Sequence, residues 1–441
     1  MTSTPREDFW QASSWVSSAN DPALGFPLQS LPYCSFVPSS RADANSHFGV
    51  GIGDFILDLN DLHRAGGLSV LPPELQAACS APQLNPLMRC GPAAWSALSQ
   101  HLFNILKSDA SSSDQDIVAS CLTPMQQAKF LKPVAVQNYT DFCASIHHAT
   151  NVGRLFRPDQ PLLPNYEWIP IGYNGRTSSL VISDTPIRRP HGQFKSAAND
   201  TPTFAPTAQL DYELEVAAYI GTGNTLGEPI PIAHAERHIF GLSLLNDWSA
   251  RDIQAWEAQP LGPFLGKSFA TSISPWVVPI AALQPYRTPL SMHKHEPLPY
   301  LAEVSSGIDL NLEVHLSTAR MRESSLAPIL LSQSNLRDLH WTFAQMIAHH
   351  TSNGCNLLAG DLLATGTVSG PVPGSQGCLL EITQRGALPL LLPNGQTRTF
   401  LEDGDEVILR GFCEKQGFPR ITFGECRGTI AAATQAAAQS S

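Results

Sequence analysis

The stretch Asp211–Ile220 reads DYELEVAAYI and holds two glutamates, Glu213 and Glu215, in an extended run. Successive side chains of a strand alternate between two faces, so these glutamates are expected on one face and Leu214 and Val216 on the other. Two carboxylates this close repel each other unless a proton or a cation lies between them, and a hard divalent cation is the usual solution. The alternative is an exposed edge strand whose polar face carries acids.

The composition predicts a folded protein with a sizeable core. Of the 441 residues, 43% are hydrophobic and 15% are charged, which leaves no case for global disorder. The 36 prolines and 31 glycines are many for a helical protein and favour a loop-rich, mainly β or α+β fold. The length predicts roughly two or three domains.

Charge and cysteine content argue against several classes of protein. The formal net charge of -11, without clustered Lys and Arg, argues against nucleic acid as a partner. Nine cysteines without a C-x-x-C pair make neither a disulfide framework nor a zinc site, and they favour reduced thiols in a cytoplasmic protein. Met1–Glu7 lacks the apolar segment of a leader, and no stretch approaches the roughly 18 apolar residues of a membrane span. We therefore expect no membrane partner.

Two domains and a tail are predicted. Residues 1–132 are expected to form an N-terminal β domain with a helical extension, and residues 133–430 a larger domain that carries the candidate site. Residues 431–441, rich in Ala, Gln and Ser, are expected to be disordered. Within the first domain, two short extended runs joined at Gly53 predict a hairpin, and residues 92–131 predict two helices around a polar interruption.

The segment Tyr139–Thr150 is a candidate source of two functional side chains. If a helix begins with Thr140 as its N-cap, Asp141 and His148 lie seven residues apart on one face. One helix would then bring an acid for a metal and an imidazole for a water molecule to the same site. Alternatively, Asp141 only complements the helix N-terminus and His148 is a partly buried structural histidine.

The apolar run Ile239–Leu245 continues into NDWSARDIQ, residues 246–254. A strand that ends at Asp247 as a helix N-cap would align four residues along one helical stripe facing a cleft. These residues are Asp247, Arg251, Gln254 and Ala258. The alternative is an Asp–Arg pair on a solvated helix, which stabilises a protein little.

Two isolated charges in apolar surroundings need partners. Lys267 stands among glycines and aromatic residues, and the carboxylates are its candidate partners. Glu381 interrupts the apolar segment Gly377–Ile382, which is typical of a strand, and an unpaired carboxylate there is costly. We expect Glu381 to pair with His148.

Six stretches of this chain resemble the fumarylacetoacetate hydrolase family. They are DYELE at 211–215, NDWSARDIQ at 246–254, LGPFLGKSF at 261–269, HHATNVG at 147–153, SNGCNL at 352–357 and NGQTRTFLEDGDEV at 394–407. The resemblance extends from about residue 25 to residue 428. Ordered matches over this length are far more specific than any single motif.

The resemblance implies a small N-terminal SH3-like barrel, a C-terminal mixed β-sandwich roll, a homodimer and a bound Ca²⁺ or Mg²⁺. The implied residues around the metal are Asp141, Glu213, Glu215, Asp247, Lys267 and Thr271. The implied catalytic residues are the general base His148, its orienting partner Glu381, and Arg251, Gln254 and Lys267. The positions implied to contact substrate are Cys143, Arg157, Tyr173, Arg251, Gln254, Ala258 and Thr367.

The implied activity is the metal-dependent hydrolysis of a carbon–carbon bond in a diketo acid, 4-fumarylacetoacetate, to fumarate and acetoacetate in tyrosine and phenylalanine breakdown. Two positions depart from the family's pattern, because Cys143 and Ala258 stand where tyrosines are expected. The departures leave open a related hydrolase or decarboxylase of another acylpyruvate or 1,3-diketone. A catalytically silent, metal-stabilised scaffold is a further alternative. Oxygen ligands suit both Ca²⁺ and Mg²⁺, so the sequence does not select the ion.

Overall fold

The computed structural model describes residues 7–23, 25–39, 46–196, 200–289, 294–302 and 307–434. Most of the predicted C-terminal tail, residues 435–441, therefore lies outside the described part of the chain. In the remainder of that tail, Ala431 is still paired in a strand, opposite Arg188.

The N-terminal part combines a small antiparallel sheet with a group of helices. Its strands are β1 (Tyr33–Pro38), β2 (His47–Ile52), β3 (Phe55–Asp58), β4 (Leu122–Pro124) and β5 (Ala128–Leu131), in the order β4-β3-β2-β1-β5. Its helices are α1 (Glu7–Gln11), α2 (Leu59–Arg64), α3 (Pro73–Cys79), α4 (Asn85–Arg89), α5 (Gly91–Leu106) and α6 (Ser112–Ser120).

The predicted hairpin is confirmed, because β2 pairs with β3 and Ile52 lies opposite Phe55. Gly53 turns the chain with a φ of 57°, a conformation that glycine adopts without strain. The helical prediction for residues 92–131 is correct for α5 and α6 and wrong beyond Ser120. The chain after α6 forms β4 and β5 instead, since both segments pair with open edges of the small sheet.

The C-terminal part is built mainly of short strands. They are β6 (Tyr139–Phe142), β7 (Gly172–Asn174), β8 (Leu180–Ile182), β9 (Ile187–Arg188), β10 (His191–Phe194), β11 (Thr203–Pro206), β12 (Leu210–Asp211), β13 (Leu214–Ile220), β14 (Ile239–Asp247), β15 (Ser249–Ala250), β16 (Thr271–Ile273), β17 (Val278–Pro279), β18 (Arg287–Thr288), β19 (Gly307–Ile308), β20 (Asn311–Ser317), β21 (Ile329–Asn335), β22 (Leu362–Ala364), β23 (Leu390–Leu391), β24 (Thr397–Arg398), β25 (Glu406–Cys413) and β26 (Ile421–Ala431). The helices are α7 (Ile146–Phe156), α8 (Ile232–Ala235), α9 (Arg251–Glu257), α10 (Ala319–Glu323), α11 (Phe343–Thr351) and α12 (Leu379–Ile382).

Two mixed sheets organise these strands. The larger has the order β7-β6-β22-β13-β14-β16-β8, with β17 also paired to β14. The smaller has the order β21-β20-β25-β26-β9. The expected mainly β or α+β class is therefore confirmed. None of the helices in the described ranges is long and apolar enough to cross a membrane.

Strand β13, the main part of DYELEVAAYI, lies in the middle of the larger sheet and is buried along its whole length. Leu214 and Val216 pack in the core shared with the smaller sheet, whereas Ala217 and Tyr219 pack against the N-terminal part. The predicted alternation of faces is confirmed. The edge-strand alternative is wrong, because β14 and β22 pair with β13 on its two sides.

The single helix expected over Tyr139–Thr150 is wrong. Asp141 lies on β6, paired in parallel with Ala364 of β22, and α7 begins only after Ser145. Ser145 accepts a hydrogen bond from the backbone N–H of His148 at 3.2 Å and is the true N-cap. Pairing with the sheet outweighs the weak local preference for a longer helix.

Two further boundary predictions are wrong. Asp247 ends β14 and pairs with Thr271 of β16, so it is not the N-cap of α9, which begins at Arg251. The segment expected to be a strand around Glu381 forms the short helix α12. Asp211, on a distant strand, accepts hydrogen bonds from the first backbone N–H groups of α12 and thereby stabilises its start.

Gly153 offers a test of how tightly helix α7 is packed. A Cβ at this position would lie 1.8 Å from the carbonyl oxygen of Pro161. Alanine improves helix propensity by about 1 kcal/mol, but overpacking against backbone costs about 1–3 kcal/mol or more. We therefore expect Gly153→Ala to lower the melting temperature. In the control Gly307→Ala, the new Cβ meets its nearest neighbour, Thr288, at 3.4 Å. Equal melting temperatures for the two variants would contradict the close packing.

Candidate active site

Neighbouring strands of the larger sheet carry the candidate metal ligands. Asp141 lies on β6, Glu215 on β13 and Asp247 at the end of β14, with β22 between β6 and β13. The strand register also places Tyr173 opposite Asp141 and Thr271 opposite Asp247. Because paired strands are about 5 Å apart, these side chains converge on one region of the sheet.

Four carboxylates, which we call the carboxylate cage, meet in this region: Asp141, Glu213, Glu215 and Asp247. One oxygen of each lies within 4.8 Å of the others, and all four side chains are buried. Within the described residues, Oδ1 of Asp141 and both carboxylate oxygens of Glu215 have no hydrogen-bond donor. A buried carboxylate oxygen without a partner is costly, and a hard cation bound by oxygen atoms would satisfy all three. The donor set therefore fits a divalent cation.

Two basic residues contact the cage. Lys267 Nζ donates to Glu213 and, at 2.8 Å, to Asp247 Oδ2. Arg251 donates through Nη1 to Glu213 Oε1 at 2.7 Å and through Nε to Asp211 Oδ2 at 2.9 Å. Burial by itself would raise the pKa of Glu213, but Lys267 and Arg251 lower it below its usual value. Glu213 is therefore ionised at neutral pH.

Glu215 and Asp141 are in the opposite electrostatic situation. Burial raises the pKa of both carboxyl groups, and the neighbouring carboxylates raise it further. Lys267 offsets only part of this repulsion. Positive charge is thus lacking at the side of the cage where the three unpartnered oxygens lie, and a divalent cation would supply it.

Two hydroxyl groups border the cage. The Tyr173 hydroxyl oxygen lies 2.9 Å from Asp141 Oδ2 and 3.0 Å from Asp247 Oδ2, and its single proton serves one of them at a time. The Thr271 hydroxyl donates to Asp247 Oδ1 at 2.7 Å. Both residues were expected near metal or substrate, and the structure brings both to the cage.

His148 and Glu381 form a hydrogen-bonded pair beside the cage. Nδ1 of His148 lies 2.7 Å from Glu381 Oε1. Glu381 also accepts hydrogen bonds from Asn151 Nδ2 at 2.8 Å and from Ser369 Oγ at 2.7 Å. Burial would raise the pKa of Glu381, but His148 and these donors lower it to about 2. The pair is linked to the cage through Asp211, which accepts from the first backbone N–H groups of α12 and from Arg251, the donor to Glu213.

Only some of the residues that were expected to contact substrate have a contact with the site that the structure shows. Gln254 Oε1 accepts from Arg251 Nη1 at 3.2 Å, and the buried hydroxyl of Thr367 has no partner among the described residues. Burial, followed by the charges of the nearby acids, raises the pKa of Cys143 to about 12, so its thiol is neutral. Arg157 is exposed immediately after the last residue of α7 and makes no side-chain hydrogen bond with the described residues, so its contact with substrate stays a prediction.

Ala258 follows the last residue of α9, one helical turn after Gln254. Its backbone N–H donates to the Gln254 carbonyl at 3.0 Å, and its methyl side chain offers no hydrogen bond to a substrate. Because Asp247 is not part of α9, the predicted four-residue stripe does not exist. The helix instead presents Arg251 and Gln254 to the site.

Three residues of the site were missed by sequence reasoning: Asp211, Asn151 and Ser369. Asn151 follows His148 by three residues, so the helical spacing within HHATNVG could have identified it. Asp211 begins DYELEVAAYI, but nothing in the local sequence indicates that it reaches the helix carrying Glu381. Ser369 comes close to Glu381 only through folding.

Comparisons with known proteins agree over nearly the whole chain. The family description "Fumarylacetoacetate (FAA) hydrolase C-terminal" matches residues 137–431, and "Fumarylacetoacetase N-terminal" matches residues 29–133. The chain is 47% identical over 409 residues to the fumarylacetoacetase of Arabidopsis thaliana, covering 92% of this chain and 95% of that protein. It is 46% identical over 421 residues to the fumarylacetoacetase of Homo sapiens, covering 95% and 98% respectively.

A solved structure supports the fold independently. The structure of fumarylacetoacetate hydrolase from Exiguobacterium antarcticum aligns with a TM-score of 0.50 at 17% identity, covering 91% of this chain and 99% of that chain. At this identity the likeness concerns the fold alone, whereas the sequence matches above span both parts of the molecule. The chain therefore belongs to the fumarylacetoacetate hydrolase family.

Proposed function

We propose that this protein hydrolyses the carbon–carbon bond of 4-fumarylacetoacetate to fumarate and acetoacetate, the last step of tyrosine and phenylalanine breakdown. The observation that carries the proposal is the His148–Glu381 pair beside the buried carboxylate cage. A base and a cation site in one place suit the attack of water on a diketone. The full-length similarity to fumarylacetoacetases supports this substrate.

Asp141, Glu213, Glu215 and Asp247 would hold a Ca²⁺ or Mg²⁺ ion, with Lys267 and Thr271 fixing two of these carboxylates. When bound, the ion supplies Lewis-acid stabilisation to the oxygen atoms of the diketone and of the departing enolate. The three unpartnered carboxylate oxygens support this site. The choice between the two ions depends on coordination number and cage flexibility.

His148 acts as the general base. With Glu381 ionised, the neutral imidazole donates its Nδ1–H to Glu381, and Nε2 is left free to accept a proton from water. Asn151 and Ser369 hold the Glu381 carboxylate in place through both of its oxygens. Glu381 therefore sets the tautomer and the orientation of the base and stabilises the imidazolium after proton transfer.

The oxyanion formed by attack on the carbonyl needs donors in a dry site. Arg251 offers Nη2, which is buried and has no acceptor among the described residues, and Thr367 offers an unpartnered hydroxyl. Gln254 contacts Arg251, and Lys267 contacts Glu213. A single such donor contributes about 3 kcal/mol to transition-state stabilisation.

Cys143 and Ala258 favour a second candidate substrate class, another acylpyruvate or 1,3-diketone. A neutral, partly buried thiol and a methyl group donate hydrogen bonds poorly or not at all, and a site that lacks a donor loses discrimination for the matching oxygen. The same base and cage would serve either substrate. The two candidates therefore differ at the substrate's end group and not in the chemistry.

We also propose a homodimer in the cytoplasm, with an SH3-like arrangement of the small sheet β4-β3-β2-β1-β5. Exposed apolar side chains on one segment support a subunit contact: Trp256, Leu261, Phe264 and Leu265. All nine cysteines are free thiols, which supports a reducing compartment. The two-domain division near residue 133 also remains part of this proposal.

Hydrolysis should depend on His148. We expect His148→Ala to lower kcat by about 10²–10⁴-fold, the usual contribution of a general base, while metal binding is retained. The loss of diketone absorbance measures the rate on fumarylacetoacetate and on a second 1,3-diketone. The matched control is His147→Ala, on the same helix, because the His147 ring makes no hydrogen bond to Glu381 or to the cage in the described structure. Near-normal turnover by His148→Ala would refute the assigned base. If the wild-type protein hydrolyses the second diketone and not fumarylacetoacetate, the other substrate class is the correct one.

Divalent cations should stabilise the fold through the cage. At a concentration of about 100 times Kd, bound Ca²⁺ or Mg²⁺ adds about 2.7 kcal/mol, seen as a higher melting temperature that a chelator reverses. Glu215→Gln should abolish this increase because it removes a charge from the cage. The control Asp361→Asn alters another buried carboxylate, bound to Asn138 and to the Leu358 backbone, and should retain the increase. An unchanged metal response in Glu215→Gln would exclude the cage as the site.

Glu381 should stabilise the protein in a pH-dependent way. Its pKa falls from the usual 4.5 to about 2 on folding, so its contribution is complete above about pH 5 and is lost as the pH falls towards 2. The shift corresponds to about 3 kcal/mol. The difference in melting temperature between wild type and Glu381→Gln, measured without metal, should therefore narrow on acidification. A difference that is constant down to pH 3 would show that Glu381 is not held as a carboxylate.

A further inference from the structure

Asp211 is fully buried between two parts of the site and accepts four hydrogen bonds. Oδ2 accepts from Arg251 Nε at 2.9 Å and from the backbone N–H of Leu380 at 3.0 Å. Oδ1 accepts from the backbone N–H groups of Leu379 at 2.8 Å and Tyr212 at 2.9 Å. One carboxylate thus joins α9, α12 and the strand that leads to Glu213.

The contact with α12 affects Glu381 directly. Leu379 and Leu380 are the first two residues of this four-residue helix, and Glu381 is the third. The side chain of the N-cap residue, Cys378, accepts no hydrogen bond from the backbone N–H groups of the helix; its thiol instead donates to Glu381 Oε1 at 3.3 Å. Asp211 therefore supplies the side-chain acceptor for the helix start and limits how far Glu381, and with it His148, can move.

The contact with Arg251 fixes the orientation of its guanidinium group. Nε is held by Asp211, and Nη1 is held by Glu213 and Gln254. A planar group restrained at two nitrogens has a defined direction for the third. Nη2, the buried donor without an acceptor among the described residues, is therefore directed by Asp211.

We propose that Asp211 is a positioning residue, which holds the oxyanion donor Arg251 and the helix of Glu381 in one fixed arrangement. This inference rests on the proposed function for the roles of those two residues. Asp211 is fully buried and its four hydrogen bonds are all to protein groups, so it acts through Arg251 and α12. Its effect is on transition-state geometry, because the base and the donor must both be correctly placed when the carbonyl is attacked.

A second buried pair provides a matched structural control. Asp405 accepts from Arg398 Nε at 2.8 Å and Nη2 at 3.0 Å, and from the backbone N–H of Glu402 at 2.9 Å. Like Asp211 it is fully buried and combines an arginine with a backbone amide. It has no contact with the residues assigned to the site, so loss of its charge affects stability alone.

The test compares Asp211→Asn with Asp405→Asn in the full-length protein with metal. Asparagine keeps the shape of aspartate but replaces one acceptor oxygen with an NH₂ donor, which cannot accept from Arg251 or Leu380. We expect kcat of Asp211→Asn on fumarylacetoacetate to fall about 100-fold, the cost of small misplacements in an active site, with KM little changed. The metal-dependent rise in melting temperature should be retained. Asp405→Asn should lower the melting temperature and leave kcat near the wild-type value.

A double-mutant cycle separates positioning through Glu381 from other effects. In a Glu381→Gln background, Asp211→Asn should lower kcat by a clearly smaller factor than it does in the wild type. The reason is that Asp211 acts through Glu381 and through Arg251, and the first variant already removes the effect through Glu381. Fully additive losses, or a kcat of Asp211→Asn within twofold of the wild-type value, would overturn the proposal. No turnover by wild type would instead count against the proposed function.

Hydrogen exchange of the wild-type protein tests the contact even if Asp211→Asn does not fold. The Leu379 and Leu380 amides should exchange slowly, because both donate to a buried carboxylate. Exchange as fast as in exposed loops would show that Asp211 does not hold α12, and would overturn the inference.

Discussion

Buried negative charge is the constraint on which the catalytic part depends. Four carboxylates converge within 4.8 Å, and Lys267 and Arg251 are the two cations that the described structure brings to them. Both cations contact Glu213, so the repulsion that Glu215 and Asp141 experience from their neighbours is offset only in part, by Lys267. Such an arrangement is costly in a protein interior unless a cation completes it. The excess of buried negative charge destabilises the folded protein without an ion, and it therefore makes the site suited to a divalent cation.

The larger sheet makes this arrangement possible because β13 is buried on both faces. One face contributes Leu214 and Val216 to the core with the smaller sheet, and the other is covered by the N-terminal part. The four side chains of the cage are buried, which strengthens the charge interactions between them. All four cage residues come from the C-terminal part.

Base and cage are held by different structural elements. The cage is carried mainly by strands, whereas His148 and Glu381 lie on helices α7 and α12. Asp211 belongs to the strand stretch and contacts both α12 and Arg251 of α9, so it connects the two halves of the site. A rigid sheet and a short anchored helix together restrict the relative motion of base, donor and cation.

Part of this organisation was accessible from local sequence. Alternation in DYELEVAAYI was sufficient to place Glu213 and Glu215 on one face, since the side-chain period of a strand is two. The turn at Gly53 was equally clear. The expectation that Asp141 and His148 share a helix was wrong, because pairing of β6 with β22 competes with helix formation and is invisible in a local window.

Residue identity and periodicity thus predicted the shared face of Glu213 and Glu215, a mainly β or α+β fold, and the pairing of Glu381 with His148, whereas most other candidate site residues came from the family resemblance. Tertiary folding determined where helices α7, α9 and α12 begin, which left Asp141 and Asp247 on strands and not on helices. It also brought Asp211 next to Leu379, 168 residues away in the sequence, where its carboxylate accepts a hydrogen bond from the first backbone N–H group of α12. The physical reason is that strand pairing and side-chain capping across such distances depend on partners that the local sequence does not contain.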